Sequence, residues 1–266
     1  MNSIFNCPSE LILKAGKQLM SRRAFPISSE KWQGLELDQK MIECFDNTYR
    51  FFIPDSVEDL KLECTPDLSW ADDHFKERIS GNPTNPGDTF KQWPYYKEDS
   101  YREGGIFTHT YQERFWPKRA NLSTKELESP NSGIRFPYGD LGDLINHLAE
   151  NPSTRQAYLP IWFPEDTGVL HNGRVPCTLG YLFNYRDGFL HLSHYIRSCD
   201  YIRHFRNDIY FTSRLLLHVL DELKMKNSPI RWNKVRPGRI KMDVESLHIF
   251  QSDVYELKKR INKFNI

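Results

Sequence analysis

The sequence predicts a mixed α/β (α+β) fold in which helices pack on a mixed β-sheet. A helix-spaced apolar stripe over residues 209–225 predicts one long helix. Two apolar runs, residues 178–185 and 189–196, flank an Asp-Gly pair, which is a strong hairpin signal. Strands and helices do not alternate strictly. No break in composition divides the chain, so we expect residues 1–266 to form a single domain with a sizeable core.

The remaining elements follow from local patterns. Residues 11–20 form an amphipathic opening segment, and residues 81–105 form a long irregular region rich in Pro, Gly and Asn. Leucine and isoleucine at helical spacing predict a helix over residues 139–150, which an Asn-Pro pair ends. Residues 158–163 are apolar and aromatic, as in a strand, and residues 242–250 alternate enough to form the last strand.

Charge and cysteine patterns exclude several classes of protein. The chain has 36 Lys and Arg against 35 Asp and Glu, so its net charge of +1 supplies no field for gripping a nucleic-acid backbone. A basic stretch over residues 231–241 is interpreted as a solvated face. No apolar run approaches the ~20 residues needed to span a membrane, and charges interrupt the opening segment, so no secretory signal is expected. Five cysteines without CxxC spacing predict free thiols in the cytoplasm rather than a zinc or other metal site.

Candidate functional side chains are concentrated in the second half of the chain. Cys177 follows a proline at the mouth of a predicted strand, where arginines would lower the pKa of a nucleophilic thiol; a buried structural cysteine is the alternative. Arg197 and Ser198 suit a phosphate, because a guanidinium binds oxyanions bidentately and a hydroxyl adds a donor. The alternative is a polar strand end. Arg155, after a predicted helix, is a further candidate for phosphate binding.

Taken in order, these segments resemble the thymidylate synthase superfamily over about residues 104–250. The matching segments are Tyr111-Gln-Glu-Arg-Phe-Trp116, Asn151-Pro-Ser-Thr-Arg155 before Ile161-Trp162, Pro176-Cys177, Arg197-Ser198-Cys199-Asp200, and His248-Ile249-Phe250. The resemblance implies a thymidylate synthase-like fold.

The sequence departs from the family pattern at the residue that reads the base. Counting eight positions from Asp200 gives Asp208, where thymidylate synthases have Asn. Asp at this place resembles the deoxycytidylate 5-hydroxymethylases of bacteriophages. A protonated carboxyl serves the amino group and N3 of cytosine, whereas a carboxylate repels O4 of uracil. A one-residue gap would place Asn207 there and restore uracil; either residue is also a candidate N-cap of the long helix.

The resemblance also implies a reaction. Cys177 would add to C6 of the pyrimidine, C5 would attack the one-carbon unit of 5,10-methylenetetrahydrofolate, and water or hydride would complete the product. Glu77, with Asp73 as its rival, would organise water and shuttle protons. His248 would contact the sugar, although Phe250 replaces the tyrosine of the family's His-x-Tyr motif.

The resemblance further implies which side chains hold the phosphate and the folate. The phosphate-binding side chains would be Arg197, Ser198, Arg155 from the second subunit of a homodimer, and Arg23, with Arg22 as its alternative. The folate-binding side chains would be Asp200, Trp93 and Tyr111.

The expected protein is therefore a deoxycytidylate 5-hydroxymethyltransferase-like enzyme of the cytoplasm, or of the host cytoplasm if a phage encodes it. Three alternatives stay open at this point: a CMP hydroxymethylase, a dUMP-specific thymidylate synthase, and a nucleotide-binding homologue without folate chemistry. Only 16 residues follow Phe250, so closure over the folate is expected to differ from that of thymidylate synthases.

Overall fold

A mixed seven-stranded β-sheet organises the part of the chain that the computed structural model describes, namely residues 4–21, 24–28, 31–32, 35–36, 40–95, 102–120, 139–167 and 175–263. The strands are β1 (Ile4–Phe5), β2 (Phe25–Ser28), β3 (Lys31–Trp32), β4 (Leu35–Glu36), β5 (Lys40–Phe51), β6 (Arg102–Glu103), β7 (Ile106–Phe107), β8 (Tyr158–Pro160), β9 (Thr178–Arg186), β10 (Phe189–Asp200) and β11 (Arg236–Phe250). The helices are α1 (Pro8–Leu19), α2 (Val57–Cys64), α3 (Trp70–Ile79), α4 (Tyr111–Phe115), α5 (Leu141–Glu150), α6 (Arg206–Lys224) and α7 (Val254–Lys263). The predicted α/β (α+β) class is confirmed.

The order of strands brings two predicted site residues together. The sheet runs β1-β5-β11-β10-β9-β8, and β2 also pairs with β5. β10 and β11 are parallel, with α6 in the connection between them, and their outer neighbours β9 and β5 are antiparallel to them. The edge strand β1 pairs parallel with β5, and β8 pairs antiparallel with β9. Asp200 and His248 are register partners at the carboxyl ends of these two strands. In parallel strands that edge is where side chains for a ligand converge.

The predicted hairpin is confirmed. β9 and β10 are joined by Asp187 and Gly188, whose φ angles are 52° and 82°. A two-residue turn with both φ angles positive matches the twist of the flanking strands, and glycine adopts that conformation without strain. Because β9 begins at Thr178, the hairpin places Cys177 at the entrance of a central strand.

The long helix starts earlier than the sequence predicts. A turn of π-helix, Tyr201–Phe205, precedes α6 directly. Asp200 caps that turn, since its Oδ1 accepts two backbone N–H groups at 2.9 and 3.0 Å. The prediction that Asn207 or Asp208 is the N-cap is therefore wrong. Both side chains lie past the cap and are available for other contacts.

Two strand boundaries also differ from the prediction. β8 ends at Pro160, whereas the prediction continued the strand to residue 163. β11 begins at residue 236 rather than 242, although Pro and Gly at positions 237 and 238 normally interrupt a strand. A register shift between β10 and β11 accommodates them. A Cβ at Gly238 would lie 2.5 Å from His191 Nδ1, so the close strand approach requires glycine.

The core lies between one face of the sheet and the helices. The inward side chains of the central strands, such as Leu192, Ile196 and Val244, are almost fully buried, as are Leu216 and Val219 of α6. Burial of this apolar surface is the main stabilising term of the fold. In the described ranges, every helix is too short or too polar to cross a membrane.

Candidate active site

Arg197 holds the segment that carries Cys177. Its Nε donates to the Pro176 carbonyl at 2.9 Å and its Nη2 to the Val175 carbonyl at 3.3 Å. The backbone N–H of Arg197 donates to the Cys177 carbonyl at 2.9 Å. The guanidinium also lies 5.8 Å from the ring of Trp162. Cys177 is half-buried. The arrangement fixes its backbone and places a cation beside the segment that carries the thiol.

Asp208 projects from the first turn of α6 into the same region. The Cys199 thiol donates to its Oδ2 at 3.3 Å. Burial raises the pKa of Asp208 to about 6, while the Cys199 hydrogen bond and the Arg78 guanidinium act against that rise. The pKa of Tyr111 is raised by burial and by the neighbouring groups Cys177 and Asp208. Tyr111 therefore lies close to both the predicted nucleophile and the predicted base reader.

Asn207 has a different environment from Asp208. Its Nδ2 donates to Asp67 Oδ2 at 2.9 Å, and its Oδ1 accepts the Asp67 backbone N–H at 3.0 Å. Arg206 pairs with the same carboxylate. Asn207 is 1% exposed and its amide is satisfied by these contacts. Asp208 is thus the residue of this pair that contacts Cys199 and lies near Tyr111.

Glu77, at the end of α3, organises a loop and a neighbouring helix. Its carboxylate accepts the Asp88 backbone N–H at 2.5 Å, the Thr89 hydroxyl at 2.6 Å and the Gln112 amide at 2.5 Å. Although burial acts to raise it, hydrogen bonds from His74, Thr89 and the Asp88 backbone lower the pKa of Glu77 to about 2. The group is ionised at every physiological pH.

The carboxyl ends of β10 and β11 present three predicted residues. Asp200 is buried, and besides capping the π turn its Oδ2 accepts Arg203 Nη1 at 2.8 Å. His248 is also buried, and its Nε2 has no hydrogen-bond partner within the described ranges. Burial lowers the pKa of His248, so the ring is neutral and one nitrogen can serve a ligand hydroxyl. Ser198 is half-buried, two residues before Asp200.

Four aromatic side chains pack on one another next to α6, here called the tryptophan cluster (Trp70, His74, Trp93 and His204). Trp93 stacks on His204 with ring centroids 5.0 Å apart, and Trp70 stacks on His74 at 5.1 Å. The two indoles lie 6.1 Å apart. Both indole Nε1 atoms are buried without a hydrogen-bond partner in the part of the chain that the structure describes.

Two other predicted residues lie away from these contacts. Arg155 is exposed in the turn that follows α5. Asp73 points outward from α3, where its carboxylate pairs with Lys76 at 3.1 Å. Arg22 and Arg23 lie outside the described residues.

Two buried side chains near Tyr111 are not predicted from the sequence. Arg78 is 7% exposed, and its guanidinium carbon lies 4.2 Å from the Tyr111 ring and 4.3 Å from the Phe211 ring. His194 is 1% exposed in β10. Only their positions in the sequence pattern could have indicated them. Arg78 lies on the buried face of α3, and His194 occupies a core-facing position of β10. A polar residue at an apolar position marks a satisfied buried contact or a functional one.

Comparison with known proteins places this arrangement in a family. The family model described as "Thymidylate synthase" matches residues 89–265, about two thirds of the chain. The chain belongs to the thymidylate synthase family.

Two archaeal relatives both carry the name "Putative thymidylate synthase". The protein from Methanosarcina barkeri is 33% identical over 111 residues, which are 41% of this chain and 45% of the relative. The protein from Methanococcoides burtonii is 31% identical over 119 residues, which are 44% of this chain and 49% of the relative. The chain thus spans about half the length of the curated relatives it matches.

The raised pKa of Asp208 predicts a pH-dependent stability difference. The folded pKa of about 6 exceeds the ordinary value of 3.8, so the folded state binds this proton more tightly. Its contribution to stability is full below about pH 4 and is lost as the pH rises through 6. Asp208→Asn lacks this loss. Relative to wild type, its unfolding free energy should therefore rise by up to about 3 kcal/mol between pH 4 and 7 in urea titrations.

Ser213→Ala is the matched control for this experiment. It removes a buried polar side chain from the same helix that bonds only a backbone carbonyl, so its stability difference from wild type should be the same at each pH. Parallel curves for wild type and Asp208→Asn would contradict the raised pKa.

Proposed function

We propose that this chain is a folate-dependent transferase that adds a one-carbon unit to C5 of a cytosine nucleotide, converting dCMP to 5-hydroxymethyl-dCMP. The observation that carries the proposal is the half-buried Asp208 carboxyl, eight residues after Asp200 and near Tyr111. Family membership supplies the reaction class. The proposed subtype is that of the bacteriophage deoxycytidylate 5-hydroxymethylases, acting in the cytoplasm as one domain over residues 1–266.

Cys177 is the proposed nucleophile. Its thiolate adds to C6 of the pyrimidine, which makes C5 the carbon that attacks the one-carbon unit. Arg197 supports this role because it fixes the two preceding carbonyls and brings positive charge toward the thiolate. The half-buried position allows a nucleotide to reach the sulfur while the backbone stays in place.

Asp208 is the proposed reader of the base. With a pKa of about 6, its carboxyl is present in both protonation states near neutral pH. The protonated form donates to N3 of cytosine and accepts from the N4 amino group, and the ionised form still accepts from N4. Uracil presents O4 and N3-H instead, so its O4 faces a carboxylate oxygen. One mispaired buried polar group costs about 1–3 kcal/mol.

Glu77 is the proposed organising carboxylate. Because hydrogen bonds hold it ionised, it acts as a fixed acceptor that orients Gln112 and Thr89 and can order water beside them. This supports the organising part of its predicted role more than proton donation near neutral pH. Asp73 is the weaker candidate, since its carboxylate is paired with Lys76 on the outer face of α3.

The phosphate and the sugar would be held by side chains at the strand ends and in the turns. Ser198 and the guanidinium of Arg197 are adjacent on β10, and Arg23 and Arg155 would complete the phosphate contacts. His248 is proposed to bond a sugar hydroxyl, because its Nε2 is buried without a partner in the described ranges.

The tryptophan cluster fits the pterin of 5,10-methylenetetrahydrofolate. Trp93 offers a flat face and a buried N–H without a partner among the described residues, and Tyr111 lies between this region and Cys177. When bound, the folate supplies a one-carbon unit at the oxidation level of formaldehyde. Asp200 is the proposed pterin contact, for which the ligand would share Oδ2 with Arg203.

The names of the two relatives favour a second candidate, a dUMP-specific thymidylate synthase. Asp208 argues against it, because a carboxylate opposes O4 of uracil. The two functions differ in the base used and in the group added. Incubation with methylenetetrahydrofolate and dCMP, CMP or dUMP, followed by mass measurement of the product, separates them.

The sheet face opposite the helices is the proposed interface with a second copy. It carries half-buried polar side chains that bond to one another: Thr48 donates to Asp243 at 2.8 Å, and Lys241 pairs with Asp243 at 2.5 Å. Tyr195 lies beside Lys241. An arrangement of self-satisfied polar groups can be covered by an identical face without leaving unpaired donors. The exposed Arg155 would then be free to reach the second subunit's phosphate site.

Replacement of the proposed nucleophile should separate binding from turnover. Cys177→Ala is expected to lower kcat by at least about 1,000-fold while the nucleotide dissociation constant changes by less than about threefold. Cys7→Ala, which removes a thiol from the start of α1, is the control and should retain full turnover. Substantial product from Cys177→Ala would contradict the assignment.

Exchange of the base reader should change the preferred nucleotide. Asp208→Asn is expected to shift kcat/KM from dCMP toward dUMP by about ten- to hundredfold, since an amide can meet both O4 and N3-H of uracil. Asp221→Asn is the matched control, because it makes the same exchange at an exposed position of α6, where the carboxylate pairs only with Lys224, and it should leave the preference unchanged. A wild type that already prefers dUMP would overturn the proposal in favour of a thymidylate synthase.

Mixing two defective variants tests whether Arg155 acts across a homodimer. Arg155→Ala and Cys177→Ala should each have little activity alone. In a mixed dimer one site has an intact cysteine from one subunit and an intact arginine from the other, so an equal mixture should recover about one quarter of wild-type activity. A mixture no more active than its parts, or a fully active monomer by light scattering, would refute the shared site.

A further inference from the structure

We propose that His194 is a positioning residue of the active site, which sets the direction of a buried hydrogen-bond chain so that the Tyr111 hydroxyl faces the nucleotide as an acceptor. Its consequence for turnover rests on the proposed function. The hydrogen-bond chain itself follows from the contacts alone. It joins the segment after the nucleophile to the helix that carries the base reader.

The chain contains four hydrogen bonds. Tyr111 Oη lies 3.3 Å from Thr178 Oγ1, and Thr178 Oγ1 lies 3.0 Å from His194 Nε2. His194 Nδ1 lies 2.7 Å from Thr212 Oγ1, which donates to the Asp208 carbonyl at 2.6 Å. The chain crosses from α4 through β9 and β10 to α6, four elements that are distant in sequence. Thr178 directly follows Cys177, and Thr212 lies one helical turn after Asp208.

Only one direction makes all four hydrogen bonds of the chain while the imidazole is neutral. A carbonyl oxygen cannot donate, so the Thr212 proton is used on Asp208. Thr212 Oγ1 must then accept from His194 Nδ1–H, which leaves Nε2 as an acceptor. Thr178 donates its proton to Nε2 and in turn accepts the Tyr111 proton. The hydrogen-bond network thus assigns the Nδ1–H tautomer to His194.

The surroundings of His194 keep the ring neutral. The side chain stacks on Tyr181 with ring centroids 4.4 Å apart and an interplanar angle of 27°. Burial and the Arg78 guanidinium lower the pKa of His194 to about 3. A charged imidazole would donate from both nitrogens and reverse the bond to Thr178. In the neutral form the direction of the chain is stable throughout the physiological pH range.

This direction decides what Tyr111 offers to the substrate. Its proton points toward Thr178, and the Thr178 backbone N–H donates back to its oxygen at 3.4 Å. The remaining lone pair of the oxygen is therefore available to a bound water or nucleotide. Without an acceptor at residue 194, the Thr178 hydroxyl is free to donate to Tyr111 instead. The Tyr111 proton would then point into the site, and its hydroxyl would change from acceptor to donor.

Nitrogen NMR of the intact protein with ring-labelled histidine tests the direction of the hydrogen-bond chain. The expected resonances of His194 are those of a neutral Nδ1–H tautomer, constant between about pH 5 and pH 8. His194→Phe identifies them by their loss, and Thr212→Val should shift them. An Nε2–H tautomer, or protonation within that pH range, would overturn the proposal whether or not the protein turns over a nucleotide.

Kinetics test the effect on the site. His194→Phe keeps a ring to stack on Tyr181 but removes both nitrogens. It should lower kcat by about ten- to hundredfold while KM for the nucleotide changes by less than about threefold. Thr178→Val should give the same loss, and the double variant should be no slower, since both break one chain. His194→Gln, which keeps an acceptor near the Nε2 position, should recover part of kcat.

Ser213→Ala is the matched control. Ser213 is buried beside Thr212 and donates to the Ile209 carbonyl at 2.7 Å, outside the chain, so its removal should leave kcat within about twofold of wild type. An unchanged kcat in His194→Phe, or additive losses in the double variant, would refute the positioning role and leave the proposed function intact. A wild type inactive on every pyrimidine nucleotide would instead refute the function, and with it the catalytic consequence of His194.

Discussion

The cap that Asp200 places on the turn after β10 determines the rotation of α6, and therefore which side chains reach the site. One carboxylate oxygen accepts two backbone N–H groups, and the other bonds Arg203, which also pairs with Asp253 next to α7. The capped turn is π-helical, and such a turn advances the helix phase differently from an α-helical one. With this phase, Asp208 approaches Tyr111 while Asn207 bonds Asp67.

Glu77 and Asp208 show how one functional group acquires opposite properties. Both carboxyls are removed from water, which alone raises a carboxyl pKa. Glu77 receives several strong donors and has a pKa of about 2, whereas Asp208 receives a weak thiol donor and has a pKa of about 6. Burial raises the pKa of Asp208 more strongly, and hydrogen-bond donors lower the pKa of Glu77, so both effects contribute to the difference. These donors come from other elements, so the local sequence around each carboxyl does not reveal it.

The predictability of each feature follows the range of the interaction that produces it. The Asp187-Gly188 hairpin was predictable because turn geometry depends on two adjacent residues. The start of α6 was not, since a π turn does not repeat with the helical period on which the prediction relied. The early start of β11 was not predictable, because a glycine such as Gly238 normally interrupts a strand. The reason for glycine at this position is the close approach of His191 on the neighbouring strand.

The residues of the candidate site also differ in whether the local sequence reveals them. Cys177, Arg197 and Asp200 belong to short motifs that a sequence displays directly, and their proposed roles remain predictions. The contacts of Glu77 with Gln112, and of His194 with residues of β9 and α6, join segments far apart in the chain. No local pattern carries such information. A core-facing histidine between apolar neighbours in β10 was the one trace available.

The pairing of Asn207 with Asp67 has a consequence for how base preference evolves in such a chain. Because those two residues hold the start of α6, position 208 can change chemically while the backbone around it stays fixed. The codons for Asp and Asn differ by a single base. If Asp208 selects cytosine, a lineage can therefore exchange one pyrimidine for the other by one transition mutation, without passing through a misfolded intermediate. Sequence relatedness then does not determine the substrate, and close relatives can differ in the nucleotide they modify.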